Sequence, residues 1–200
     1  TIVEFMVDMI APQENEIVCD PACGSGGFLI RYFQKVSDKI LLRLESDYQK
    51  QKQEIEKNTK LSKEQKNSQI FSAFKNTEKL SDITNSHSPL WHLANGCIFG
   101  TDANERMART SKMNMIMHGD GHGGIRHQNG FKNIDDIKED AFNVIITNPP
   151  FGSVVNDISI LSNYTLPNKK PIREEFLFIE RCLGLLKSGG RLAIVLPESV

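Results

Sequence analysis

A four-residue turn carries the clearest chemical signal in this sequence. Asn148, Pro149, Pro150 and Phe151 directly follow the apolar run FNVIIT, which is typical of a buried strand. The two prolines restrict the backbone and move the residue before each out of the helical region. Such a rigid turn can present the Asn148 side-chain oxygen and the Pro149 carbonyl toward one amino group. Phe151 offers a flat face for stacking. The turn therefore fits the orientation of an exocyclic amine for attack on an electrophile that a cofactor supplies.

A second candidate site is a glycine-rich turn near the start of the chain. The segment DPACGSGGF begins at Asp20, at the end of the short β-branched run EIVCD. Glycines here allow backbone amides to approach a ligand closely, next to a helix N-terminus. No lysine follows, as it would in a phosphate-binding GxxxxGK[ST] loop, and Leu29 stands where GxGxxG requires its last glycine. The turn predicts a ligand that need not be a polyphosphate.

An acid at the end of the second strand holds ribose hydroxyls in sheets of this kind, about 20 residues after the first turn. Glu45 has nearly that spacing from Asp20, whereas Asp102 lies 82 residues beyond it. We favour Asp102, because CIFGTD followed by a new helix is a strand, turn and helix in succession. Glu45 lies within a helical stretch that contains no glycine.

Histidines and cysteines do not form a metal-binding pattern in this sequence. The loop from His118 to His127 contains three histidines and Asp120, but its glycine spacing gives no fixed ligand face. Cys19 and Cys23 are four residues apart and no second ligand pair accompanies them. We expect no metal, and we interpret the loop as structural or as a cover for the ligand.

The predicted elements alternate as in a parallel α/β sheet that binds its ligand at the strand ends. Helices are predicted over residues 2–10, 28–36, 104–117 and 174–187, and strands over 16–20, 97–102, 142–147 and 191–197. The residues Ser188, Gly189 and Gly190 are expected to cap the last helix.

A charged segment interrupts this alternation. Residues 34–82 contain no glycine or proline and hold 11 basic and 8 acidic residues, a net charge of +3. Apolar stripes at helical spacing predict two charged helices, which form a solvated insertion or an arm that contacts DNA or another subunit. Together with the polar loop that follows, the insertion is predicted to span residues 34–95, between the first and second strands of a single domain of residues 1–200.

Composition excludes several classes of protein. Two hundred residues that are 39% hydrophobic predict one domain with a sizeable core. A net charge of −1 argues against a polycationic nucleic-acid coat protein. No apolar run is long enough to span a membrane, and the first residues do not resemble a secretory signal. Four scattered cysteines are typical of a reduced, cytoplasmic protein.

Taken together, these motifs resemble those of one family. The segments DPACGSGGFL, GTDANERMARTSKMNMIMHGDGHGGI, NPPFG and LKSGGRLAIVLPESV match, in order, the catalytic domain of the modification (M) subunit of type I restriction-modification systems. These subunits are adenine-N6 DNA methyltransferases with a Rossmann-like sheet. The resemblance covers nearly the whole chain apart from the charged insertion. It implies methyl transfer from S-adenosyl-L-methionine to the N6 amine of adenine in DNA.

The resemblance also implies roles for individual residues. Asn148, Pro149, Pro150 and Phe151 match the catalytic tetrapeptide, and Asp102 matches the acid on the cofactor ribose. The cofactor loop corresponds to Asp20, Ala22, Cys23, Gly24, Ser25, Gly26 and Gly27. Asn129 stands where the family often has an aspartate that holds the cofactor adenine, and an amide can still accept a hydrogen bond.

The same resemblance implies DNA and two further subunits as partners. A specificity (S) subunit reads the DNA site, in keeping with the lack of net positive charge, and a restriction (R) subunit completes the complex. A family motif expected upstream of Thr1 is absent, and the family sheet continues beyond Val200. We therefore expect a catalytic core truncated at both ends.

Two other functions are compatible with the motifs. A methyltransferase that acts on a glutamine amide in protein or on a guanine amine in RNA also uses an NPP-aromatic turn. A catalytically silent scaffold of a DNA complex is the alternative outside enzymes. DPACGSGG and the MNMIMHG stretch favour DNA over the former, and the intact NPPF tetrapeptide argues against the latter.

Overall fold

The computed structural model describes residues 1–119, 123–134, 136–166, 170–198 and 200. Its main strands are β1 (Val18–Asp20), β2 (Ile98–Asp102), β3 (Ile125–His127), β4 (Phe142–Thr147) and β7 (Leu186–Ile194). They form one sheet with the order β3-β2-β1-β4-β7, and all neighbours in it are parallel. The short strands β5 (Val154–Val155) and β6 (Ile172–Arg173) pair separately and antiparallel. The parallel α/β sheet predicted from the sequence is confirmed.

Helices connect these strands. In the described residues they are α1 (Ile2–Ile10), α2 (Gly27–Lys57), α3 (Lys63–Leu80), α4 (Pro89–Gly96), α5 (Glu105–Met117), α6 (Ile158–Leu161) and α7 (Glu174–Leu185). The first of them begins with a capping box, in which the Thr1 hydroxyl accepts from the Glu4 N–H and the Glu4 carboxylate accepts from the N-terminal ammonium group. No helix in the described residues is long and apolar enough to cross a membrane.

The sheet is covered by helices on both faces. Val18 and Val144 pack into a cluster with residues of α1, α2 and α4, whereas Cys19 and Ile145 pack into a second cluster with residues of α7. Neighbouring residues of one strand fall in different clusters because successive side chains point to opposite faces. A sheet that is buried on both faces requires apolar runs rather than alternation, which is the pattern of FNVIIT.

The charged segment is a pair of helices, as predicted, but the first of them is continuous with the helix that follows the glycine turn. The buried residues of α2 end at Leu44, and none of the residues of α3 is buried. Tyr48 and Phe74 join the two helices through an edge-to-face contact with ring centroids 6.0 Å apart. The outer half of α2 and all of α3 are therefore held mainly by each other.

Three local expectations need correction. The stretch after residue 82 was expected to be a polar loop up to residue 95, but residues 89–96 form α4. Pro89 occupies the first turn of this helix, and the Ser88 hydroxyl caps it by accepting from the Trp91 N–H. The edge strand β3 lies within the histidine-rich loop, where only three residues pair. Ser188, Gly189 and Gly190 do not cap α7, which ends at Leu185. They lie in β7, where the pairing with β4 shifts.

Candidate active site

The candidate site forms where β1 and β4 lie side by side. The chain leaves β1 toward β2 and β3 on one side of the sheet, and β4 returns on the other. In open parallel sheets this reversal of strand order leaves a crevice at the carboxyl ends, where ligands bind. Asp20 ends β1 and Thr147 ends β4, and the Thr147 hydroxyl donates to the Asp20 carboxylate at 2.6 Å. This hydrogen bond joins Asp20, the first residue of the glycine turn, to the residue that directly precedes the NPPF turn.

The glycine turn is fixed by bonds to β2. The Cys23 N–H donates to the Thr101 carbonyl at 2.8 Å, and the Gly24 N–H donates to the Asp102 carboxylate at 3.0 Å. Gly26 has a φ of +88°, and a Cβ there would lie 2.6 Å from the Ser111 hydroxyl oxygen on α5. The close approach that requires Gly26 is therefore made to α5 of the same chain.

Backbone donors remain open at the start of α2. Gly26 is the N-cap residue, and no side chain caps this helix. The first N–H groups of a helix have no partner within it, and the helix dipole adds partial positive charge at the same place. Because α2 begins directly after the turn, these donors lie at the carboxyl edge of the sheet, where an anionic or polar ligand group could accept from them.

Asp102 lies at the tip of β2, as expected. One of its oxygens accepts from the Gly24 N–H and the other from the Asn104 N–H at 2.8 Å. A carboxylate has about four acceptor positions, so each oxygen can still accept from a ligand. The competing acid, Glu45, lies within α2 and accepts from the Gln49 side chain at 2.8 Å.

A cleft of about 100 Å³ opens beside the turn. It brings together four of the residues predicted for the site, which are Ala22, Asp102, Asn129 and Pro150. Pockets that enclose a drug-sized ligand hold about 300–1,000 Å³, so this cleft encloses only part of such a molecule. The aromatic part of its wall comes from Phe131 and Phe178, whose ring centroids are 4.4 Å apart.

The Asn129 side chain forms a hydrogen bond within its own loop. Its oxygen accepts from the Phe131 N–H at 2.9 Å, which leaves the amide nitrogen as a donor and one further acceptor position on the oxygen. Asn129 thus stands at the cleft by position, while its side chain also shapes the backbone that follows it.

The NPPF turn is anchored in the protein through one residue and exposes the other three. Pro149 is buried, whereas Asn148, Pro150 and Phe151 are exposed, and 45% of the Phe151 surface is accessible. No described residue forms a hydrogen bond with the Asn148 side chain. An exposed amide and an exposed ring next to each other leave room for a large planar group from outside.

A buried carboxylate that the sequence analysis missed fixes the end of this turn. Glu175 at the start of α7 is fully buried, and its Oε1 accepts from the Gly152 N–H at 2.9 Å and from the Arg173 guanidinium at 3.0 Å. The Ser153 carbonyl accepts from the Glu174 N–H at 2.9 Å. The C-terminal end of the turn is therefore bonded to α7, and its N-terminal end continues directly from β4.

Thr147 was also missed, although its position gives a signal. It is the last residue of β4 and the one polar side chain in IIT before the turn, and it is fully buried. A buried hydroxyl needs a partner, and the nearest strand end carries Asp20. Glu175 gives no comparable signal, because it is one of two adjacent glutamates at a helix start, where acids are common.

Burial has changed the proton affinity of several groups in the site. Desolvation raises the pKa of Asp20 to about 7, against the opposing hydrogen bonds from Thr147 and the Ala22 N–H. Desolvation likewise raises the pKa of the Cys23 thiol and of Glu174, which lines the cleft. Cys23 is therefore a neutral thiol that packs under the loop, since a reactive thiolate requires a lowered pKa.

The histidine-rich loop is only partly described. Asp120 and His122 lie outside the described residues. The His118 ring lies 3.2 Å from the Gln34 amide nitrogen, and the His127 ring lies 3.1 Å from the Ala103 carbonyl oxygen. Among the residues that the structure describes, no group of three His, Cys, Asp or Glu side chains could hold a metal ion.

Comparison with known proteins agrees with this geometry. The N-6 DNA methylase family matches residues 1–200. The chain belongs to the N-6 DNA methylase family. This family member is 27% identical over 199 residues to the methylase subunit of the type I restriction enzyme EcoEI of Escherichia coli. That alignment covers 98% of the chain but 31% of the relative, so the chain spans about a third of the length of this curated relative.

Solved structures share the fold of this N-6 DNA methylase family member. The M protein of the type I restriction enzyme EcoKI superposes with a TM-score of 0.61 at 19% identity, covering 99% of this chain and 33% of that one. A putative class I S-adenosylmethionine-dependent methyltransferase from Listeria monocytogenes superposes with a TM-score of 0.59 at 16% identity, covering 99% and 44%. The fold is therefore the Rossmann-like fold of these methyltransferases, and the predicted fold class and family are confirmed.

Proposed function

We propose that this chain is the catalytic part of a modification subunit of a type I restriction-modification system, and that it methylates the N6 amine of adenine in DNA. The observation that carries this proposal is the position of the NPPF turn. It follows β4 directly beside the glycine turn of β1, and the two are joined through Thr147 and Asp20. An amine-holding turn and a ligand loop at one crevice, in a member of the N-6 DNA methylase family, support methyl transfer between them.

S-adenosyl-L-methionine is the proposed cofactor, and when bound it supplies an electrophilic methyl group. The residues present fit it. Ala22, Asp102 and Asn129 line a cleft that would take part of the nucleoside, with Asp102 accepting from ribose hydroxyls. The uncapped start of α2 offers N–H donors to a carboxylate outside this cleft. Asp20, Cys23, Gly24, Ser25, Gly26 and Gly27 shape and support the loop.

The chemistry falls to the NPPF turn. The Asn148 side-chain oxygen and the Pro149 carbonyl would accept hydrogen bonds from the two N–H groups of the target amine and orient its nitrogen toward the methyl carbon. A base within a duplex cannot reach such a turn, so the target adenine must leave the stack. Phe151 would stack on the extruded base, and Pro150 keeps the turn rigid.

The other parts of the assembly are proposed on the same basis. DNA is the substrate, and a specificity subunit and a restriction subunit are the partners. Residues 1–200 would form one methyltransferase domain, in which residues 34–95 are a charged helical insertion between β1 and β2. Because the net charge of the chain is −1, the affinity for DNA must come from local surfaces or from the partners.

The test is methyl transfer by the full-length protein together with its specificity subunit. Labelled S-adenosyl-L-methionine and duplex DNA are incubated with the complex, and the modified base is identified by mass. We expect N6-methyladenine. Asn148→Ala should retain cofactor binding but lose about 100-fold or more in methyl transfer, as after loss of an oriented transition-state contact. Label in the protein instead of the DNA, methylation at another base, or full activity of Asn148→Ala would refute the proposal.

A further inference from the structure

We propose that Arg181 is a positioning residue for the cofactor cleft, which acts by fixing the backbone of residues 130–133. This inference rests on the proposed function, because it concerns how tightly the same cleft holds S-adenosyl-L-methionine. Arg181 lies in the middle of α7 and is 3% exposed. It was not among the residues predicted from the sequence.

The guanidinium of Arg181 makes three hydrogen bonds, all to one short segment. Its Nε donates to the Gly130 carbonyl at 2.8 Å, one terminal nitrogen donates to the Asn133 side-chain oxygen at 2.6 Å, and the other donates to the Lys132 carbonyl at 2.9 Å. No carboxylate in the described part of the chain forms an ion pair with it. Arginine is rarely buried without such a partner, so backbone dipoles replace the counter-ion here.

The segment needs these donors because it has no regular structure. Residues 129–133 belong to neither a helix nor a strand. Gly130 and Phe131 are buried, whereas Lys132 and Asn133 are exposed. A buried backbone carbonyl without a hydrogen-bond donor is costly, and neither sheet nor helix supplies a donor here. The Tyr164 hydroxyl donates at 2.7 Å to the carbonyl of Phe131, which lies between Gly130 and Lys132 in the chain. Burial raises the pKa of Tyr164 to about 12, so this hydroxyl keeps its proton.

The same segment is one wall of the cleft. Asn129, Gly130 and Phe131 face Pro21, Ala22 and Asp102 across it. The two walls meet closely, since a Cβ on Gly130 would lie 2.2 Å from the Pro21 carbonyl oxygen. A small displacement of Gly130 and Phe131 therefore changes the width of the cleft directly, and Arg181, which does not itself line the cleft, holds this segment in place.

The test compares Arg181→Lys with Arg191→Lys in the full-length protein. Lysine keeps the charge but loses the planar fork that reaches three acceptors at once. Arg191 is a matched control, because it also donates to a backbone carbonyl, that of Ile10, and to two oxygens, those of Glu16. Arg191 lies in β7 opposite Val144, three residues before the strand end at Thr147. It does not line the cleft.

We expect Arg181→Lys to raise the Kd for S-adenosyl-L-methionine by about tenfold, equivalent to about 1.4 kcal/mol. Calorimetric titration measures this Kd, and thermal denaturation measures the loss of stability in each variant. Arg191→Lys should lower Tm but leave the Kd unchanged. Tyr164→Phe, which removes only one donor, should raise the Kd by a smaller factor, and millimolar guanidinium should restore part of the affinity of Arg181→Ala.

The outcomes separate the two proposals. If the wild-type protein does not bind S-adenosyl-L-methionine, the proposed function fails. If the wild-type protein binds it and Arg181→Lys lowers Tm with no change in Kd, Arg181 is structural only and the inference is overturned. Equal increases in Kd for Arg181→Lys and Arg191→Lys would also overturn it, because a general loosening of the fold would then explain both.

Discussion

Asp20 should make the stability of the protein fall as the pH rises from about 4 to about 7, and Asp20→Asn should remove this dependence. The carboxylate is 1% exposed, and its pKa is raised from 3.8 to about 7. A raised pKa in an acid means that the folded state binds the proton more tightly than the unfolded chain does. Stability is then fully present below about pH 4 and is lost as the pH rises to about 7.

The magnitude follows from the size of this shift. Each pKa unit corresponds to about 1.4 kcal/mol, so full ionisation of Asp20 destabilises the fold by about 4 kcal/mol. Between pH 5 and pH 8 the loss is about 2.5 kcal/mol, because part of the penalty is already present at pH 5. Asparagine fits the site, because the Thr147 hydroxyl and the Ala22 N–H both donate to the same Asp20 oxygen, Oδ1. The single side-chain oxygen of asparagine can accept both hydrogen bonds.

Urea denaturation of wild type and Asp20→Asn at several pH values between 5 and 8 measures the effect. From pH 5 to pH 8, the free energy of unfolding of Asp20→Asn should rise relative to that of wild type by about 2.5 kcal/mol. Asp82→Asn is the control. Asp82 is exposed, and hydrogen bonds from Thr84 lower its pKa, so both its folded and unfolded values lie below the tested range. Parallel stability curves for wild type and Asp20→Asn would refute the argument.

Three further substitutions test the surroundings of the site. Thr147→Val leaves the buried Asp20 carboxylate without its hydroxyl donor and should destabilise the protein by about 1.5–3 kcal/mol in urea denaturation, whereas serine should retain most of the stability. Gly26→Ala forces a side chain into a left-handed conformation against Ser111 and should cost about 1–3 kcal/mol, part of which the second change Ser111→Ala recovers by removing the contacted hydroxyl. Phe151→Ala should raise the KM for DNA by about tenfold or more in the methylation assay, consistent with about 1–3 kcal/mol per stacked base, whereas Phe151→Tyr should not.

The sheet and the two motifs could be predicted because local sequence determines them. The apolar run FNVIIT is typical of a strand that is buried on both faces, and β4 has the predicted bounds of residues 142–147. The glycine turn and the NPPF turn were expected at strand ends and lie there. The choice of Asp102 over Glu45 rested on the same local succession of strand, turn and helix, and it is Asp102 that lies at the cleft.

Other features depend on tertiary contacts that no local pattern reveals. β3 has three residues and forms a strand only because β2 offers its edge. Gly26 looks like a residue that makes room for a ligand, but its closest neighbour is Ser111, 85 positions later. Pro89 lies where the sequence predicts a polar loop, but proline is equally suited to the first turn of a helix.

The buried charges also could not be predicted, and their distribution bears on function. In the described part of the chain, the charged side chains classed as buried are Asp20, Glu175 and Arg181. All three lie beneath the walls of the candidate site: the first joins the glycine turn to β4, the second holds the NPPF turn, and the third holds residues 130–133. Burial of a charge opposes folding unless hydrogen bonds offset it. Within that part of the chain, the buried charged side chains therefore lie only where backbone without regular structure has to be held in one position.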